Sequence, residues 1–176
     1  MNIGSIHKEI NKVLDIYRNR VDAIPDDLFN VTPPGGGWSY AEVYSHILQA
    51  NLGSSIALEK CLLNNCIPTS KGRSLMGLLV LTFGRFPPVK LQVPDSVTKK
   101  MPVKNISKEE ARNLLIKCRK RIDELFPLIH GSAKYNRVKH PRLGMLNSQQ
   151  WLKFILIHSK HHLKQLDRVE KKLQSR

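Results

Sequence analysis

The sequence predicts an all-α protein, a four-helix bundle with a long connection between its second and third helices. Three observations lead there. Apolar residues recur at helical spacing in four long stretches. Two of those stretches open with a Ser-x-x-Glu capping box, at Ser39 to Glu42 and Ser107 to Glu110. No stretch shows the sustained apolar-polar alternation of a half-buried strand. Helices with one apolar stripe each must bury it, and four of them do so by packing on one another.

The first helix is expected over residues 5–24. Ile6, Ile10, Val13, Leu14, Tyr17, Val21 and Ile24 fall on one face, and Pro25-Asp26-Asp27 ends it. Residues 28–38 read as a loop, because Pro33-Pro34-Gly35-Gly36-Gly37 continues no regular element. Ser39 opens the second helix, which runs to about Leu63. Its candidate buried residues are Val43, His46, Ile47, Ala50, Ile56, Leu58 and Leu62, and Gly53 weakens its middle. Residues 65–106 form the long connection. It holds a short helix over Ser74 to Phe83, after which Pro87, Pro88, Pro94 and Pro102 break the chain. Connections this long are commonly functional or mobile, and this one is expected either to cover or border the mouth of a site or to pack on the bundle as a surface excursion. Ser107 starts the third helix, with Ala111, Leu114, Leu115, Cys118, Ile122, Leu125, Phe126 and Ile129 on one face and Gly131 as its stop. Residues 132–146 read as a basic loop containing His140-Pro141 and Gly144. Asn147 or Ser148 caps the fourth helix, from Gln149 to about Leu173. Trp151, Phe154, Ile155, His158, His162, Leu166 and Val169 lie on or near its inward stripe.

A chain of 176 residues, 41% apolar and 24% charged, is expected to fold as one domain over residues 1–176. Cys61, Cys66 and Cys118 show neither a disulfide framework nor zinc-ribbon spacing, and read as core or near-core thiols in a reducing compartment. No basic segment followed by an apolar run marks a secretory signal. The longest apolar run, Leu75 to Phe83, is too short to span a bilayer. A cytoplasmic location without a membrane partner is therefore expected. The net charge of +15, from 29 basic and 14 acidic residues, admits a solvated basic surface, an anionic small-molecule substrate or nucleic acid. The basic residues are scattered and accompany no zinc-finger or RNA-recognition signature, so nucleic acid is the least favoured partner.

Three of the seven histidines stand out by position. His158 and His162 are one turn apart, which places their side chains side by side on one helix face at roughly 5–6 Å. Both interrupt an apolar stripe, and so does His46 on the second helix. Buried imidazoles need partners. Either each finds a hydrogen bond in the core or at its rim, or one divalent ion satisfies all three. The segment is not a zinc-protease motif, since Ser159 stands where that motif requires Glu. His161 points about 100° from His162 and reads as flanking. His7 and His130 lie near helix ends, and His140 could line a site mouth.

These motifs together resemble the DinB-like superfamily, the YfiT-type metal-dependent four-helix bundles. Trp38-Ser39 through His46 is similar to the family's Trp-Ser helix start and first histidine. His140-Pro141-Arg142-Leu143-Gly144, then Trp151, then His158 to Gln165 is similar to its closing segment, His-x-x-x-His-x-x-Gln. The resemblance covers the whole chain in motif order and helix count. It implies a solvent-open site at one end of the bundle for zinc, nickel or a similar divalent ion, with His46, His158 and His162 as the metal ligands. It further implies relatives that are hydrolases or transferases using a low-molecular-weight thiol, some of them homodimers. One position departs from the family. Many relatives carry an acid three residues after the first histidine, where this chain has Gln49, an amide that cannot act as a base. Gln165 keeps the pattern and either orients a ligand or packs.

Three function classes follow. As an enzyme, the protein would use the charge of an ion held by three neutral ligands to activate water or a thiol against a small-molecule substrate, without a protein base. As a non-catalytic module, it would bind nucleic acid or another polyanion through its basic surface. As a structural bundle, it would keep a vestigial site. Imidazoles bind metal only when deprotonated, so metal affinity is expected to fall below about pH 6.5.

Overall fold

The computed structural model describes residues 2–87 and 103–175. In order, they form α1 (Ile3–Ala23), α2 (Asp26–Phe29), α3 (Tyr40–Leu62), α4 (Leu75–Phe83), α5 (Lys108–Leu125), a 3-10 turn over Phe126–Gly131, β1 (Val138–His140), β2 (Gly144–Leu146) and α6 (Ser148–Gln174). The four long helices make the bundle. α3 packs against α5 and α6, and so does α1. Consecutive long helices α1 and α3 therefore stand at opposite corners, as do α5 and α6. The second and fourth long helices, α3 and α6, are neighbours, as a shared histidine site requires.

The helix starts follow their caps. Ser39 and Glu42 bond reciprocally at the head of α3, Ser107 and Glu110 do so at α5, and Asn147 and Gln150 do so at α6. α1 begins two residues earlier than expected because the Asn2 side chain accepts from the Ser5 N–H at 2.7 Å. Four expectations need correction. The loop expected over 28–38 begins inside a short helix, α2, whose Phe29 is buried. Ile56 is 47% exposed and not buried. It lies about 200° around the helix from buried Leu58, and small residues Ser54, Ser55 and Ala57 bury there instead. α5 gives way to the 3-10 turn at Phe126 because Pro127 has no N–H to continue an α-helix, so Ile129 buries from the turn. The loop expected over 132–146 contains an antiparallel hairpin, pairing Val138 with Leu146 and His140 with Gly144.

That hairpin holds α4 in place. The Ser74 N–H donates to the Leu143 carbonyl at 2.9 Å and the Ser74 hydroxyl to the Arg142 carbonyl at 2.7 Å. Gly77 lies so close that a Cβ there would meet the Leu143 carbonyl oxygen at 2.1 Å. Of the proline-broken connection, Pro88, Lys90, Pro94 and Pro102 lie outside the described residues. No helix among the described residues is long and apolar enough to cross a membrane.

A polar seam crosses the core. The Tyr17 hydroxyl of α1 donates to the Ser159 carbonyl of α6 at 2.9 Å, and the Tyr44 hydroxyl of α3 donates to the Tyr17 carbonyl at 2.8 Å. The Asn51 Nδ2 of α3 donates to the Ser159 hydroxyl at 3.1 Å. All four residues are buried. Cys61 and Cys118 are buried too, each with its S–H toward a backbone carbonyl, and burial pushes both thiols up to about 12. They are core thiols and unreactive at neutral pH. Replacing Asn51 by Ala leaves Ser159 short of a partner and opens a gap beside it. The expected loss is about 1–3 kcal/mol in denaturant unfolding, against a few tenths at most for an exposed control such as Lys12→Ala.

Candidate metal centre

His46 projects from the first third of α3, and His158 and His162 from the middle of α6. The Asn51–Ser159 contact sets the axial register of these two helices, so His46 arrives at the level of the α6 pair. His162 is buried, and the other two are partly buried. Ring centroids are 4.7 Å apart for His46 and His162, 5.4 Å for His46 and His158, and 4.5 Å for His158 and His162. One ring nitrogen from each lies within 4.8 Å of the others.

The proton on the His162 ring can be placed. The Gln165 Oε1 lies 2.7 Å from the His162 Nδ1. An amide oxygen only accepts, so this Nδ1 carries the hydrogen and the His162 Nε2 keeps its lone pair. That Nε2 faces the His158 Nε2 at 3.1 Å. The His158 Nδ1 is buried and has no hydrogen-bond partner. Burial is the main force holding all three rings neutral. It lowers the pKa of His46, lowers that of His158 well below the ordinary value, and takes that of His162 down to about 3. Charge on neighbouring histidines adds to each shift. Three neutral nitrogens converging in a buried corner suit a divalent cation, which takes one lone pair from each.

Aromatic rings wall the cluster. Trp38 sits 5.1 Å from His46, and Phe154, one turn before His158, stacks on it at 5.2 Å. Phe86, just beyond α4, reaches His158 at 6.1 Å and His161 at 5.1 Å. The described end of the long connection therefore borders the cluster. Sequence spacing could have found Phe154, but nothing local marked Phe86. His161 is exposed, yet its ring lies 5.2 Å from His162, at the rim. His7 stands away from the cluster, stacked on Phe126 and bonded to Asp123 at 2.6 Å. Gln49, one turn after His46, donates to the Ser45 hydroxyl at 2.8 Å.

His140 stands one ring further out, 4.5 Å from Phe154 and 5.4 Å from Trp151. Its Nδ1 accepts the backbone N–H groups of Arg142 and Leu143, both at 3.1 Å. The ring is thus a neutral Nε2–H tautomer that closes the hairpin turn. Burial first, and then the Arg142 charge, lower its pKa to about 4.

Comparison with known proteins places this architecture. Residues 9–166 match the family model of the DinB superfamily. Among solved structures, YfiT from Bacillus subtilis, described as a probable metal-dependent hydrolase with an unusual four-helix bundle topology, superposes with a TM-score of 0.63 at 14% identity, over 98% of this chain and 87% of that one. TT2238, a four-helix bundle protein, superposes with a TM-score of 0.61 at 16% identity, over 95% and 99%. At these identities the likeness speaks for the fold. No curated protein matches the sequence.

The His140 arrangement makes stability depend on pH. Its folded-state pKa lies below its unfolded value, so the unfolded chain takes up the proton first. Stability is then lost as pH falls from about 6.5 toward about 4, by about 3 kcal/mol from this group alone. Thermal melts of the metal-free protein at pH 7 and in mild acid are expected to show a smaller acid loss for His140→Gln than for the parent.

Proposed function

The chain belongs to the DinB superfamily, and from that premise we propose that it is a metal-dependent enzyme of hydrolase or thiol-transferase type acting on a small-molecule substrate. The observation that carries this reading is the convergence of His46, His158 and His162 within 4.8 Å, as neutral rings in a buried corner. The probable metal-dependent hydrolase described for the similarly folded YfiT supports it.

His46, His158 and His162 would hold a divalent ion, zinc or nickel by the imidazole chemistry of the donors. Bound there, such an ion supplies Lewis acidity and eases the deprotonation of water or of a low-molecular-weight thiol. The chain's own residues do the rest. Gln165 holds the His162 tautomer and ring plane, which keeps its Nε2 lone pair aimed at the cluster. Trp38 packs against His46, and Phe86 and Phe154 against His158, which covers part of those rings with apolar surface. Gln49 is a neutral amide tied to Ser45 and does not titrate at neutral pH. Position 49 therefore supplies no base for the nucleophile.

Burial also revises the expected pH dependence. All three imidazoles stay neutral below the ordinary histidine value of 6.5. Protons should displace the ion only in more acidic solution than an exposed histidine site would allow. Each of His46→Ala, His158→Ala and His162→Ala is expected to weaken zinc binding by at least about 100-fold in chelator competition. His7→Ala is expected to bind as the parent does, and His161→Ala to keep most of the affinity. Hydrolytic or thiol-transfer activity should vanish with chelation and return with zinc or nickel. Activity that persists through chelation and in His158→Ala would overturn the reading.

A further inference from the structure

α4 carries no charged residue, yet it lies on the surface. Gly77, Val80 and Leu81 are buried, and Gly77 lies against the Leu143 carbonyl with no room for a side chain. That contact fixes how the helix is rotated. Leu75, Leu78, Leu79, Thr82 and Phe83, at i, i+3, i+4, i+7 and i+8, are then turned outward and exposed. Leu75 is 75% exposed and Phe83 68%. A helix on the outside of a globular protein ordinarily keeps polar residues on that face. A contiguous apolar stripe there marks a contact surface.

Basic residues occur all along this chain, so the informative feature is where the acids are missing. Asp and Glu together number 14, and none falls in residues 60–94 or 125–166. The fold brings those two stretches together. The Thr69 N–H donates to the Tyr135 carbonyl and the Met145 N–H to the Gly72 carbonyl, both at 3.0 Å. The Arg137 guanidinium donates to the Ser70 carbonyl at 3.2 Å. Arg73 and Arg137 share one surface hollow with Leu75 and Leu78, and no carboxylate lines it. Lys71 and Arg73 are exposed just before α4, and Arg85 just after it. The start of α1, which meets Arg73 and Leu81 in a neighbouring hollow, brings no acid either. Its first acid, Glu9, is paired with Lys12 and Lys160. Asp95 lies outside the described residues.

We propose that this face docks on an anionic membrane surface, with the α4 stripe entering the acyl boundary while Lys71, Arg73, Arg85 and Arg137 meet the headgroup phosphates. An apolar stripe framed by basic residues and free of acids is complementary to such a surface. A second copy of the chain fits less well, because a two-fold contact would set this acid-free, basic face against itself. Nucleic acid fits less well too, because leucines offer its bases neither stacking nor hydrogen bonds. The expectation of no membrane partner rested on Leu75 to Phe83 being too short to span a bilayer, and a surface contact needs no spanning run. The proposal is independent of the metal reading.

The test is co-sedimentation of the full chain with vesicles of phosphatidylcholine, with and without phosphatidylglycerol. The chain is expected to pellet with the anionic vesicles and far less with the neutral ones. Leu75→Ser and Phe83→Ser should each weaken that binding on the order of tenfold, the worth of one large apolar side chain withdrawn from water. Arg73→Gln and Arg85→Gln should each weaken it about fivefold, as for one basic residue at an anionic surface. Ile116→Ser removes a side chain that is 57% exposed on α5, and should bind as the parent does. All these positions are exposed, so the fold should survive, checked by circular dichroism. Binding that is equal in the parent, Leu75→Ser and Phe83→Ser is adsorption by net charge and overturns the proposal. Failure of the parent to bind anionic vesicles overturns it too. In that case a dimer, or binding to an oligonucleotide, that is lost in Phe83→Ser names the occupant instead.

Discussion

The bond between Asn51 and Ser159 is the constraint on which the site depends. Apolar packing between two helices is non-directional and tolerates sliding by a turn with little change in buried area. A buried hydrogen bond does not, because a slip strands both partners in the core. Asn51 stands five residues after His46, and Ser159 directly follows His158. The buried hydrogen bond between α3 and α6 therefore also fixes the height of His46 against the α6 pair. Tyr17 and Tyr44 extend the lock to α1 by donating to the carbonyls of Ser159 and Tyr17. The core is apolar almost throughout, and its few polar residues set the register.

The same burial prepares the chemistry. Three imidazoles in a core corner would be costly if charged, and the corner keeps them neutral. Neutral nitrogens are what a cation needs. Gln165 settles one tautomer from within the helix, three residues on from His162, where the helix brings side chains together. The other walls come from distant parts of the chain. Trp38 arrives from the loop that caps α3, and Phe86 from beyond α4. α4 is itself pinned by the hairpin whose turn His140 closes. The aromatic enclosure is thus a tertiary product, assembled on two helices that the polar seam has already fixed.

Charge is arranged by a similar division. Glu9 of α1 and Asp167 and Glu170 of α6 tie those two helices together through Lys160 and Arg20, while Asp15 and Asp22 of α1 hold Arg119 and Arg112 of α5. Among the described residues Lys164 and Arg168, beside the histidines on α6, have no ion-pair partner. The strongly basic composition is general, but its local effect depends on which acids the packing has already engaged.

The sequence by itself determined the helices, their caps and the three histidines. Those features are local. A 3.6-residue apolar period, a Ser-x-x-Glu box and a His-x-x-x-His spacing each act within one or two turns, so they can be read without knowing the fold. It left the hairpin at 138–146 and the short α2 unread, because three-residue strands and a one-turn helix carry too little pattern to show a period. It misplaced Ile56 because an apolar residue announces a face only if its angle around the helix is counted against its neighbours. That α3 and α6 are neighbours could be expected from the three histidines, which must meet, but tertiary structure alone decided the topology in which consecutive long helices stand at opposite corners. It alone decided that Phe86 would reach His158 and that Asp167 and Glu170 would turn to Arg20. Each of these depends on contacts between residues tens of positions apart. Such contacts are selected by the register of buried hydrogen bonds and by competition among surface charges, and neither leaves a periodic trace in the chain.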